Sequence, residues 1–95
     1  MHLLETKLKN QVIEYLRRAY PTAWFYKSAD RFTSGIPDLI LCVDGKFFAI
    51  ELKVGRNEPT PIQKFVIKRI RAAGGRVAVC WSLDEVKQFM KGGAT

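Results

Sequence analysis

The sequence predicts an α/β fold, a mixed β-sheet flanked by helices in the order αβββαβα. Three observations carry that expectation. First, the apolar runs Leu39-Ile40-Leu41-Cys42-Val43 and Lys46-Phe47-Phe48-Ala49-Ile50 are joined by Asp44-Gly45, the strongest short hairpin signal in a sequence. Second, a helix-spaced segment separates this hairpin from a later apolar run, Val77 to Trp81. A strand–helix–strand link of that kind implies a right-handed crossover and a parallel pair. Third, both faces of the hairpin are largely apolar, with Leu39, Leu41 and Val43 on one and Ile40, Cys42, Phe47 and Ala49 on the other. That suits strands sandwiched between helices.

Taken in order, Leu4, Leu8, Val12, Leu16 and Ala19 recur at helical spacing, with Ile13 and Tyr15 beside them, and Pro21 ends that helix. Thr22 to Lys27 contains Trp24, Phe25 and Tyr26 and reads as a short strand. Ser28 to Ile36, with Arg31, Thr33, Ser34 and Gly35, is a polar loop leading into the hairpin. Gly55 to Pro59 is a second polar loop. Thr60-Pro61 then opens a helix, with threonine as N-cap and proline at its first position. Its expected inward stripe is Ile62, Phe65, Val66, Ile70 and Ala73, and Gly74-Gly75 closes it. Ser82-Leu83-Asp84-Glu85 is a capping box for a last helix that turns Val86, Phe89 and Met90 inward.

Ninety-five residues are enough for one core and one domain, spanning residues 1–95. Sixteen Lys and Arg against nine Asp and Glu leave a net charge of +7, which favours a polyanionic partner through counterion release. Cys42 and Cys80 lie in apolar strand-like runs, where free cysteines behave as small buried hydrophobes. Two of them define no disulfide framework, and a reducing, cytoplasmic location is expected. The apolar runs are too short for a membrane span. Trp24 and Trp81 read as core residues. His2 is the single histidine and reads as a terminal residue, so a Ser/His triad is not expected.

The chemistry concentrates around the hairpin. With Val43 opposite Lys46, paired residue numbers sum to 89, and Asp38 falls directly opposite Glu51. Cross-strand carboxylates with Cβ atoms about 5 Å apart repel unless something positive lies between them. Divalent cations are suited to this, because hard cations take carboxylate oxygens. Lys53, two residues beyond Glu51, emerges on the same face of the strand. Asp38 also has a plain reading as a turn residue after Pro37, and Glu51 as an exposed strand residue. Neither explains an acid interrupting an apolar strand opposite another acid. Lys53 by itself is equally a neutralising partner for the two carboxylates.

Pro37-Asp38 followed by Glu51-Leu52-Lys53 resembles the motif of the PD-(D/E)xK nuclease superfamily, whose restriction-endonuclease-like core has αβββαβ order. More narrowly, Ser34-Gly35-Ile36-Pro37-Asp38-Leu39, Glu51-Leu52-Lys53, Thr60-Pro61-Ile62-Gln63 and Glu5 resemble a VRR-Nuc domain, the virus-type replication-repair nuclease family. The resemblance covers most of the chain. It implies a nuclease hydrolysing DNA phosphodiesters with one or two Mg²⁺ or Mn²⁺ ions held by Glu5, Asp38, Glu51 and the Leu52 carbonyl, with no organic cofactor. It further implies that Lys53 stabilises the attacking water or developing charge, and that Gln63 lies beside the active site. Glu5 otherwise reads as an acid stabilising a helix N-terminus, and Thr60-x-x-Gln63 as a capping box.

Lys27, Arg56 and Lys64 are the expected nucleic-acid contacts, with Arg31, Lys68 and Arg71 as further candidates on a basic surface. One metal site cuts one strand at a time, so paired cuts call for a two-fold homodimer. Together with the family resemblance, this leads to an expected homodimer acting on branched DNA such as Holliday junctions, with Trp24, Phe25 and Phe32 as candidate contacts. A phage or prophage-like, virus-encoded origin goes with the family. Other readings stay open: a restriction-type or nicking PD-(D/E)xK endonuclease, or a non-catalytic nucleic-acid-binding module.

Overall fold

The computed structural model describes residues 2–29 and 34–92. The candidates Arg31, Phe32 and Thr33 lie outside the described residues. The elements are α1 (His2–Ala19), β1 (Trp24–Lys27), β2 (Leu39–Val43), β3 (Lys46–Leu52), α2 (Pro61–Ala72), β4 (Arg76–Cys80) and α3 (Leu83–Met90). Their order is the expected αβββαβα. The sheet runs β1-β2-β3-β4, with β1 antiparallel to β2, β2 antiparallel to β3, and β3 parallel to β4. The hairpin has the expected register, with Val43 opposite Lys46 and Leu39 opposite Ile50. Asp44 and Gly45 both take positive φ, 51° and 77°, as a primed two-residue turn requires.

Helices cover both faces. α1 and α3 bury one face, packing Leu8, Val12, Leu16, Val86 and Phe89 on Leu39, Leu41, Phe48, Ile50 and Leu52. α2 covers the other over a much smaller cluster, Ala49, Ile67 and Val77, with Ile40, Ile70 and Val79 at its margin. The α1 stripe is shorter than its spacing predicts, because Leu4 and Ala19 are exposed. An 18-residue helix is about 27 Å long, whereas a five-residue strand is about 17 Å, so the helix overhangs the sheet.

The α2 face departs further from expectation. Ile62 and Phe65 are exposed, and the inward positions are Gln63 and Ile67, flanked by Val66 and Ile70. Trp24 is 60% exposed rather than core, and Cys42 is exposed rather than buried. The reason is coverage. One helix, about 10 Å wide, spans roughly two strands at 4.8 Å spacing, and α2 lies over β3 and β4. β1 and the adjoining half of β2 stay bare on that face. Trp81 is half-buried, and its Nε1 donates to the Asn57 carbonyl at 2.9 Å. At α3 the Ser82 hydroxyl accepts from Glu85 N as expected. The Glu85 carboxylate accepts from Trp81 N at 2.7 Å, one residue ahead of the cap. Among the described residues no helix is long and apolar enough to cross a membrane.

Candidate active site

Strand alternation places Glu51 on the α2 side of β3, because its neighbours Ile50 and Leu52 point into the α1/α3 core. Asp38 sits in the bend just before β2, where the hairpin register continues to Glu51. Both acids are shut from solvent, at 0% and 1% exposure. They are interlocked through the backbone: Asp38 N donates to Glu51 Oε1 at 3.2 Å, and Leu52 N donates to Asp38 Oδ2 at 2.7 Å.

The same register sets Pro37 opposite Leu52. In an extended strand the N–H and C=O of one residue point to the same edge, so the Leu52 carbonyl also faces the Asp38 side. Proline has no N–H to offer it. Two carboxylates and a backbone carbonyl therefore turn toward one point, a set of oxygen donors that fits a hard divalent cation.

Electrostatics agree. Burial, followed by repulsion from Asp38, raises Glu51 from 4.5 to about 7, against the opposing pull of Lys53. Lys53 Nζ lies 3.2 Å from Glu51 Oε2, which joins the lysine to the acid pair as the alternation argument expects. A second lysine, Lys9 on α1, brings its Nζ to 4.0 Å from Asp38 Oδ1. Sequence reasoning did not single out Lys9. The available signal was its position one helical turn after Glu5, on the same face of α1. Glu5 is half-buried. Among the described residues no group of three or more His, Cys, Asp or Glu gathers as a metal cluster.

The loop into Asp38 is held by a close approach. Gly35 has φ of 71°, and a Cβ there would lie 2.7 Å from the Ile62 carbonyl in the first turn of α2. Only glycine fits on both counts. Gln63, the next residue after Ile62, is therefore brought beside the loop that carries Asp38. Its capping box is complete: Thr60 N donates to Gln63 Oε1 at 2.8 Å, and Gln63 N to Thr60 Oγ1 at 3.3 Å. The cap uses only the side-chain oxygen, and the amide nitrogen is the donor that a neighbouring group would meet.

Of the expected nucleic-acid contacts, Lys27 ends β1 opposite Leu39 and is exposed, and the next residue, Ser28, donates its N–H to the Asp38 carbonyl at 2.8 Å. Arg56 is exposed in the turn after β3, and Lys64 is exposed on α2 beside Gln63. Lys68 is exposed as well, whereas Arg71 is tied to the Val77 carbonyl at 3.0 Å. The Cys80 thiol is pushed up to about 12 by burial, which makes it inert packing.

A family model described as VRR-NUC domain matches residues 2–84. A solved structure of a VRR_NUC domain superposes with a TM-score of 0.68 over 86% of this chain and 92% of that chain. The two are 24% identical, so the likeness bears on fold. No curated protein matches.

Proposed function

Because the chain belongs to the VRR-NUC domain family, a nuclease type of domain, we propose that it is a Mg²⁺- or Mn²⁺-dependent endodeoxyribonuclease working as one domain. The observation that carries this reading is the buried Asp38–Glu51 pair with Lys53 3.2 Å from Glu51. Asp38, Glu51 and the Leu52 carbonyl would hold the cation, with Glu5 as a further ligand supplied from α1. A bound divalent ion lowers the pKa of its water and stabilises charge on the attacked phosphate. Lys53 orients the attacking water and offsets charge developing on the phosphorus oxygens. Lys9, 4.0 Å from Asp38, holds that carboxylate aimed into the site. Gln63 offers its amide nitrogen at the rim, while Lys27, Arg56 and Lys64 receive the DNA backbone.

The preferred substrate in this reading is branched DNA such as a Holliday junction, cut by a two-fold homodimer. The uncovered aromatic face supports the dimer: Trp24 and Tyr26 are exposed with their rings parallel and centroids 6.3 Å apart, beside exposed Phe47. Linear, nicked, flapped and four-way DNA incubated with Mg²⁺, Mn²⁺ or chelator tests the whole reading. Metal-dependent cutting that favours four-way DNA, from a species of about twice 10.8 kDa by light scattering, is expected. Cutting that persists in chelator would overturn the metal site. A monomer nicking linear duplex as readily as a junction would overturn the substrate and the dimer.

A further inference from the structure

A basic cleft lies between α1 and the end of β1. Asn10, Ile13, Glu14, Arg17 and Arg18 of α1 and Lys27 of β1 line an open cleft of about 410 Å³. That is large enough for a phosphodiester with its sugar. Two of its lining residues adjoin site residues through the chain or the strand register. Asn10 follows Lys9, whose Nζ is 4.0 Å from Asp38. Lys27 pairs with Leu39, the residue after Asp38. From Lys9, α1 carries the wall eight residues on to Arg17, about 12 Å along the axis.

The charges favour an anion. Arg17, Arg18 and Lys27 against Glu14 leave two net positive charges. Glu14 is taken up by Arg18 at 2.9 Å, so the pair removes one cation and the one acid together. Arg17 and Lys27 remain, one on each wall, and neither is in an ion pair among the described residues. Two cations lining one cleft together with Ile13 suit a phosphate oxyanion.

We propose that this cleft grips a phosphate of the cleaved DNA strand a few nucleotide steps from the scissile bond. The grip sets where the strand is cut. It rests on the nuclease reading, but its test does not depend on turnover.

DNA binding is measured in chelator with a four-way junction carrying a single neutral methylphosphonate linkage, moved one step at a time past the cleavage position. The wild type should lose affinity several-fold when the neutral linkage occupies one particular position a few steps away. The Arg17→Gln/Lys27→Gln double variant should bind several-fold more weakly overall and be indifferent to that position. Its slope of log affinity against log salt should be shallower by about 0.9, one phosphate's worth. With Mn²⁺, its cuts should spread over neighbouring bonds. A Lys91→Gln control, exposed at the end of α3, should behave as wild type. A double variant that still feels the neutral linkage, or a control matching the double variant, would overturn the grip. Failure of the nuclease reading looks different: affinity and linkage dependence persist, and no cutting occurs.

Discussion

The two faces of the sheet are built from alternate residues of the same strands, yet they do different work. Under α1 and α3, Leu39, Leu41, Phe48, Ile50 and Leu52 are sealed into one continuous core. Under α2, the sheet buries only Ala49 and Val77 with Ile67, leaves Trp24 and Cys42 in solvent, and carries both buried acids at one end. One face supplies the apolar burial that holds the fold, while the other carries the buried acids with their lysine partners and the bare aromatics. Because side chains alternate, a one-residue slip of the hairpin would exchange these roles completely.

The largest expected effect comes from the acids of the α2 face. Asp38→Asn or Glu51→Gln should lower cleavage by about 10³-fold or more, the rate equivalent of several kcal/mol of charge stabilisation. Melting temperature in chelator should hold or rise, since a repulsive pair is relieved. Substantial cutting by both variants would remove the acids from the mechanism.

Next in size is truncation on the sealed face. Leu41→Ala leaves a cavity in the core and should destabilise by about 3 kcal/mol, read by urea unfolding with m unchanged. A loss below about 1 kcal/mol would mean that the core collapses around the gap and that the contrast between faces is overstated.

The metal-free protein should also lose stability as pH rises, through Glu51. Its folded pKa of about 7 lies above the ordinary 4.5, so its contribution is full below 4.5 and is lost as pH climbs through about 7. The drop is on the order of 2 kcal/mol, and Glu51→Gln should abolish it. Gly35→Ala belongs to the same range, about 1–3 kcal/mol for strain at positive φ. It should also impair cleavage, because its Cβ meets the Ile62 carbonyl three residues before Asp38. Urea curves across pH and single-turnover assays check the two.

The smallest stability effect belongs to the bare aromatics. Trp24→Ser should shift unfolding by no more than about 0.5 kcal/mol, as exposed substitutions do, while shifting the mass by light scattering toward that of a single chain. A large destabilisation with unchanged mass would show that Trp24 packs on its own sheet rather than on a partner.

Element order, the hairpin register and the Asp38–Glu51–Lys53 constellation were all legible in the sequence. The physical reason is locality: a two-residue Asp-Gly turn dictates every pair outward from it, and it aligns two acids only thirteen positions apart in the chain. The capping box of Thr60 and Gln63 was legible for the same reason. What periodicity misjudged was burial. It nominated Ile62 and Phe65 as inward and missed Ile67, because a helix apolar on two sides does not announce which side meets the sheet. It placed Trp24 and Cys42 in the core, because the run of apolar residues carries no record of how many strands a single helix can roof.

By itself, then, the sequence determined the order of elements, the strand pairing within the hairpin, and the meeting of two acids and a lysine at its open end. These depend on contacts within a few residues of one turn, whose geometry is set by φ and ψ at Asp44 and Gly45. Tertiary structure alone decided the arrival of Lys9 at Asp38, the lodging of Gly35 against the first turn of α2, and the half of the sheet left open. Those depend on where whole helices come to rest, which is settled by packing area between segments distant along the chain rather than by local dihedral preference.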